Sequence, residues 1–398
     1  MLTIRDVRVI VTAPAGTDLV IVKLETSEPG LYGLGCATFT QRALAVKVAI
    51  EEYLKPLVIG RDADRIEELF NLMMVNAYWR NGPVVNNAIS GIEMALWDIK
   101  GKRAGMPLYD LLGGKMREAA AVYRPADGRE PKEIEDNVRR YMEQGVRHVR
   151  VQCGGYGGFR RDDAKPEGAL EGAYYDPRRY RRDAIKAIEH MRVHIGDEVE
   201  LLHDVHERLK PAEAVEFAKE LEKYRLFFLE DLLAPEDIEW FENVRAVCTT
   251  PLAMGELFTH PREWTPLIAR RQIDFVRMHI SDMGGLIPAR KVATMAEAFG
   301  VRTAWHGPND VSPVGHALNV HLDLVLPNFG IQEFPGFPEK SFEVFIGCPE
   351  LRNGYLYLNG KPGLGIDIDE TAAAKYPHQE RSSAGYQTRL PDGAIVRP

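Results

Sequence analysis

The sequence predicts an α/β fold, a (β/α)7β-type TIM barrel joined to a small α+β capping domain. Three observations carry that expectation. From about residue 116 onward, apolar β-branched runs alternate with helical periodicity every roughly 25 to 30 residues, which is βα repetition and implies a parallel sheet. Seven or eight such units fit into roughly 220 to 250 residues, where closure into a barrel is the economical arrangement. No GxGxxG or Walker sequence is present, although an open doubly wound sheet would usually carry a glycine-rich phosphate turn after its first strand.

The elements follow in order. Residues 3–12 and 19–26 read as strands, with Val7, Val9, Val11, Val20, Ile21, Val22 and Leu24 supplying the apolar content and Glu28-Pro-Gly30 a turn. From about 41 to 112 the pattern is helical, closing at Gly113-Gly114. Residues 1–115 are therefore expected to form the capping domain, completed by the irregular, Pro- and Gly-containing tail 361–398, around a barrel spanning 116–360. Within the barrel the expected strands are Ala121–Arg124, Val149–Gln152, Val199–Asp204, Leu226–Glu230, Pro251–Glu256, Ile273–Arg277, Val301–His306 and Gly330–Glu333. Helices fill the intervals, for example 132–144 with Ile134, Val138 and Tyr141 on one face.

Composition bounds the function. Of 398 residues, 45% are hydrophobic and 27% charged, as in ordinary globular proteins and unlike disordered, collagen-like or coiled-coil chains. The formal net charge of −8 argues against a nucleic-acid partner, because phosphate contacts need a basic surface. No apolar run approaches the roughly 20 residues of a membrane span. The opening residues lack a basic-then-apolar leader, and Cys36, Cys153, Cys248 and Cys348 form no CxxC pair, so reduced thiols and a cytoplasmic location are expected.

Three acids close three successive expected strands: Asp204, Glu230 and Glu256, each 26 residues after the last. In a parallel barrel the strand C-termini converge at one mouth, where active sites sit. Carboxylates gathered there repel one another unless a cation neutralises them, and an all-oxygen set suits Mg²⁺. A single acid at such a place more often caps a helix or begins a loop; three in register are harder to explain that way. His206 lies two residues after Asp204, so on a continuing strand it would share that face, whereas His203 would point away into packing.

The chain resembles the enolase superfamily, and within it the mannonate dehydratase subgroup. The resemblance spans nearly the whole chain. Arg61–Glu67, Ala77–Pro83 and Met94–Gly101 resemble its capping domain. Leu201-Leu-His-Asp-Val-His206, Tyr224–Asp231 and Pro251–Glu256 resemble its metal-ligand strands. Trp305-His-Gly-Pro-Asn-Asp310, Asn328–Glu333 and Pro362–Asp367 resemble its late strands and tail. The resemblance implies Mg²⁺-assisted loss of water from a sugar acid such as D-mannonate or D-gluconate, through an enediolate, giving a 2-keto-3-deoxy acid. It also implies a symmetric homo-oligomer.

By the same resemblance, Arg150-Val-Gln152 stands where typical relatives carry Lys-x-Lys, and Arg150 and a nearby tyrosine form the base. Tyr156 is the candidate, with Tyr174 and Tyr175 as competitors; a guanidinium beside a phenol favours phenolate. The loop 153–182 is long, glycine-rich at its start and charged after, and is expected to act as a lid. His206 is the expected catalytic histidine, able to serve as acid or base at neutral pH, and Arg277, His306, Asp310, Glu333 and Thr40 are the expected substrate contacts, with His279 sharing the face of Arg277. Pro308 resembles members that also accept gluconate. Two other readings stay open: epimerisation or racemisation through the same enediolate, and a metal-binding family member acting as a binding or regulatory protein.

Overall fold

The computed structural model describes residues 1–156, 166–379 and 388–396. Strands β1 (Ile4–Thr12), β2 (Leu19–Thr26) and β3 (Tyr32–Cys36) form an antiparallel sheet in the order β1-β2-β3. Helices α1 (Ala43–Val48), α2 (Lys55–Val58), α3 (Ile66–Met74), α4 (Pro83–Ala104) and α5 (Leu108–Leu111) follow. Strand β3 is not among the strands expected from sequence, since Gly33 and Gly35 dilute its apolar run. They are there to admit α4: a Cβ at Gly33 would lie 2.0 Å from the Ala95 carbonyl oxygen, and one at Gly35 only 1.9 Å from that of Gly91.

Eight parallel strands then build the barrel: β4 (Ala120–Gly128), β5 (His148–Cys153), β7 (Glu200–Asp204), β8 (Phe228–Glu230), β9 (Leu252–Met254), β10 (Phe275–Val276), β11 (Arg302–Thr303) and β12 (Gln332–Glu333). The short β6 (Ala173–Tyr174) lies outside it. Neighbours pair in chain order, β12 returns to β4, and a parallel bridge between Thr303 and Phe329 joins β11 to the chain entering β12. Helices α6 (Pro131–Glu143), α7 (Pro177–His194), α8 (Pro211–Leu221), α9 (Phe241–Val247), α10 (Pro261–Ala269), α11 (Leu286–Ala298) and α12 (Pro313–Val325) occupy the crossovers. Helices α6, α7, α8, α10 and α12 each begin on a proline, at a position where a fixed φ and a missing donor cost nothing.

Later strands pair over only two or three residues, shorter than the apolar runs suggest, because the chain leaves the ladder as it enters the mouth. Inside the ring the strand period of two stacks two layers. Tyr123, Leu202, Phe228, Ala253, Phe275, Ala304 and Ile331 form a closed apolar layer. Two residues further along the same strands, Asp204, Glu230, Arg277 and Glu333 form a charged layer above it, all buried.

Beyond the barrel, β13 (Phe345–Ile346) pairs with β16 (Asp367–Ile368), and β14 (Glu350–Arg352) and β15 (Tyr355–Tyr357) form a hairpin alongside β4. Glu370 then bonds Arg8 and Lys23 of the antiparallel sheet, and the Tyr32 hydroxyl donates to Asp367. The last strands, β17 (Thr388–Arg389) and β18 (Ile395–Val396), turn to the barrel side, β17 running parallel to β6. The α4 helix is fastened to the barrel by Glu93, whose carboxylate accepts the Leu286 and Ile287 amides at the start of α11 and the Trp97 indole. The four cysteines are all free thiols, and no described helix is long and apolar enough to cross a membrane.

Candidate active site

The charged layer is one network. Arg150 on β5 reaches across the barrel: its Nη1 lies 2.5 Å from Glu230 Oε1, 2.7 Å from Glu333 Oε1 and 3.5 Å from Asp204 Oδ2. Its Nη2 donates to the Tyr156 hydroxyl at 2.9 Å. Arg277, just past β10, donates to Glu256 Oε2 at 2.5 Å, Glu333 Oε2 at 2.7 Å and Asp231 Oδ2 at 3.0 Å, and lies 2.6 Å from Glu230 Oε1. Its Nε donates to the Tyr123 hydroxyl, which donates in turn to Glu230 Oε2. Both guanidiniums are buried, yet the surrounding carboxylates hold them charged, well above the ordinary arginine value despite the cost of burial.

Asp204 and Glu230 are the last residues of adjacent strands and face each other in register. Glu256 differs from expectation. It stands two residues beyond the last paired residue of β9, because Gly255, at φ +135°, bends the chain out of the sheet. Its oxygens meet Arg277, His206 Nε2 and His306 Nε2, the two histidines at 3.3 Å on opposite oxygens. Among the described residues, the three carboxylates that converge within 4.8 Å of one another are those of Asp204, Glu230 and Asp231. Asp231 was missed by the sequence reading; its signal was the adjacent Glu-Asp pair after Leu229.

His206 also arrives by another route than strand alternation. The strand ends at Asp204, and His206 and Glu207 are both left-handed, at φ 51° and 60°. The His206 amide donates to Asp204 Oδ1 at 2.7 Å. Its ring stacks on Tyr156 with centroids 4.0 Å apart and planes 18° off parallel. His203 points away, between the Tyr180 hydroxyl and the Val151 carbonyl, and burial pushes it down to about 4. Of the competing tyrosines, the Tyr174 hydroxyl donates to the Leu170 carbonyl and that of Tyr175 to the Arg208 carbonyl, so only Tyr156 meets Arg150. Burial pushes the Tyr156 phenol up, and the pull of Arg150 in the opposite direction is the smaller effect. The charged run Arg160–Asp163, part of the expected lid, lies outside the described residues.

His279, His306 and Asp310 cluster at the other side of the mouth. The Ser281 amide donates to His279 Nδ1 at 3.2 Å, so the neutral ring carries its proton on Nε2. Burial pushes Asp310 up to about 6, partly countered by His279, and pushes His306 down to about 3. Gln152 of the Arg-x-Gln run serves packing, donating to the Asp204 carbonyl. Thr40 begins a short turn between β3 and α1, and no hydrogen bond joins it to the charged layer among the described residues. Outside the mouth, Glu135, His190 and His194 also approach one another, but the Glu135 carboxylate is already taken by Arg139 and His190.

The donor set fits a divalent cation. Five carboxylates (Asp204, Glu230, Asp231, Glu256 and Glu333) face two guanidiniums, so acids are in excess. Asp204 Oδ2 is buried without a hydrogen-bond partner. Burial, opposed by Arg150, pushes Asp204 up to about 7 and Glu230 up to about 8. Glu256 is held well below its usual range against burial by His306, Arg277 and His206, and Glu333 is held down to about 2 by Arg277 and Arg150. Hard oxygen ligands that cannot all ionise alone are the surroundings in which Mg²⁺ binds.

Comparison with known proteins agrees with this geometry. Residues 2–113 match the mandelate racemase / muconate lactonizing enzyme N-terminal domain, and residues 133–372 match the enolase C-terminal domain-like family. A protein of Enterocloster bolteae named as a D-galactonate dehydratase family member is 54% identical over 401 residues, covering 100% of this chain and 99% of its own. A family member from Enterococcus gallinarum is 52% identical with the same coverage. The crystal structure of an enolase from Pantoea ananatis, with bound D-gluconate and Mg, superposes with a TM-score of 0.98 at 51% identity over the whole of both chains. The chain belongs to the enolase superfamily and, within it, to the D-galactonate dehydratase family.

Proposed function

We propose that the protein is a Mg²⁺-dependent sugar-acid dehydratase acting on D-gluconate, D-mannonate or both, and forming 2-keto-3-deoxy-D-gluconate. The observation that carries this reading is the Arg150–Tyr156–His206 group set over the acids of one barrel mouth. The gluconate held by the Pantoea ananatis relative supports a C6 sugar acid as the ligand class.

Asp204, Glu230 and Glu256 are the proposed ligands, with Asp231 beside them. When bound, Mg²⁺ supplies positive charge beside the substrate carboxylate and lowers the cost of the charge that builds as the C2 proton leaves. The chain's own groups do the rest. Tyr156, as the phenolate that the Arg150 guanidinium favours, takes the C2 proton and becomes the phenol. His206, stacked on the same phenol, delivers a proton to the departing 3-hydroxyl. His306, Asp310, Glu333 and Arg277 orient the remaining hydroxyls, and His279 offers a further donor. Water loss leaves an enol that becomes the keto acid in solution or in the site. The charged residues are themselves buried above the apolar layer, so these charges act at a lower dielectric than water.

Incubation of the Mg²⁺-loaded protein with D-gluconate, D-mannonate and D-galactonate, followed by semicarbazide, tests the reading. Keto-acid formation from gluconate or mannonate is expected. Product from D-galactonate alone would overturn the proposed substrate, and no product from a full set of hexonates and pentonates would overturn the dehydratase reading.

A further inference from the structure

His206 sits in an unusual piece of backbone. Two consecutive non-glycine residues in the left-handed region, His206 and Glu207, are strained and persist only where their surroundings hold them. On the barrel side the turn is held by the strands: the Val205 amide donates to the Glu230 carbonyl at 3.0 Å and that of Glu207 to the Asp231 carbonyl at 2.8 Å. On the outer side the turn runs into Arg208, which both the tail and the chain between β6 and α7 touch. Arg208 Nη1 donates to the Thr388 hydroxyl at 2.9 Å, and the Arg208 carbonyl accepts from the Tyr175 hydroxyl at 2.5 Å. Thr388 and Tyr175 are buried. The tail is fixed there by backbone: β17 runs parallel to β6, with Thr388 beside Ala173 and Arg389 beside Tyr174, and the Tyr175 amide donates to the Arg389 carbonyl at 2.8 Å. A cavity of about 630 Å³, lined by Glu207, Arg208, Lys210 and Leu390 among others, lies against this junction, so the turn has room to relax once the anchor is lost.

We propose that Thr388 is a positioning residue for His206: through the Arg208 guanidinium it fixes the His206–Glu207 turn and so the ring that stacks on Tyr156 and faces Glu256. The tail thus serves the barrel mouth although none of its described residues hydrogen-bonds to the charged layer. The proposal rests on the dehydratase reading only for its kinetic consequence; the geometric claim stands without it.

The test compares Thr388→Ala with Thr388→Ser in the full-length, Mg²⁺-loaded protein. With histidine labelled at its ring carbons, the His206 resonance, assigned by its loss in His206→Asn, reports the aromatic stack. In wild type it should be shifted upfield by the Tyr156 ring; Thr388→Ala should move it toward the free-histidine position, and Thr388→Ser should restore it. If gluconate or mannonate is turned over, Thr388→Ala should lower kcat about tenfold with KM within about twofold, since misplacement of a reacting group costs rate more than binding. Thr388→Ser should recover most of that loss. An unmoved His206 resonance in a folded Thr388→Ala protein, by thermal melt, would overturn the proposal whether or not any sugar acid is turned over. A kcat loss that Thr388→Ser fails to rescue would overturn it as well.

Discussion

Mg²⁺ binding should depend on pH in a way the buried acids dictate. Burial outweighs Arg150 at both Asp204 and Glu230, pushing them up to about 7 and about 8. Without the ion, the folded protein therefore holds protons on these acids that the unfolded chain, with ordinary carboxyl values near 4, has already lost. Their contribution favours the folded state at low pH and is lost as pH rises through about 7 to 8. Mg²⁺ must displace those protons, so its binding releases protons and tightens with pH. One proton released makes Kd fall tenfold per pH unit, about 1.4 kcal/mol. Glu256 and Glu333, held low by Arg277 and their other partners, are ionised throughout this range and add nothing to the slope. Isothermal titration with MgCl₂ at pH 6, 7, 8 and 9, in two buffers of different ionisation enthalpy, reads both quantities. Kd should fall about tenfold or more between pH 6 and 7, with one to two protons released, and level off above pH 8 to 9. A Kd independent of pH with no proton release would show that the acids are already ionised and would refute the burial argument.

Three further predictions follow from other parts of the molecule. Tyr156→Phe keeps the ring that stacks on His206 but removes the proton acceptor, so kcat should fall by about 10² to 10⁴ while Mg²⁺ affinity stays unchanged; near-normal turnover would remove Tyr156 from the base. Glu93→Gln sets an amide against the Leu286 and Ile287 N–H groups that now share one carboxylate, and should cost about 1 to 3 kcal/mol in urea unfolding. An unchanged midpoint would mean that the contact between α4 and α11 is held elsewhere. Phe275→Ala empties part of the closed apolar layer beneath the charges and should destabilise the protein by about 3 to 5 kcal/mol, read by the same denaturation curves.

Much of this was legible in the sequence, for physical reasons that differ by element. The barrel order could be read because each strand is a short apolar run and each crossover helix has its own period. The charged layer could be read where the strand period of two holds, as from Leu202 to Asp204 and from Phe228 to Glu230. It failed where the chain leaves that period. Glu256 was placed at a strand end, but Gly255 bends the backbone first. His206 was placed by alternation, but it reaches the site through a left-handed turn that no local pattern announces. Asp231 and the contact between Thr388 and Arg208 depend on pairings across the ring or along almost half the chain, which a linear pattern does not carry. The net charge of −8 likewise hides the mouth, where Arg150 and Arg277 set a local potential unlike the sum over the chain.

The central claim is that this mouth removes the C2 proton of a sugar acid and then its 3-hydroxyl. Proton NMR of D-gluconate and D-mannonate in D₂O with the Mg²⁺-loaded protein tests it most directly. The account predicts 2-keto-3-deoxygluconate with one deuterium at C3, placed there as the enol becomes the ketone, and loss of that product in His206→Asn. Deuterium appearing at C2 of unreacted acid without water loss, or no change to either acid, would contradict it.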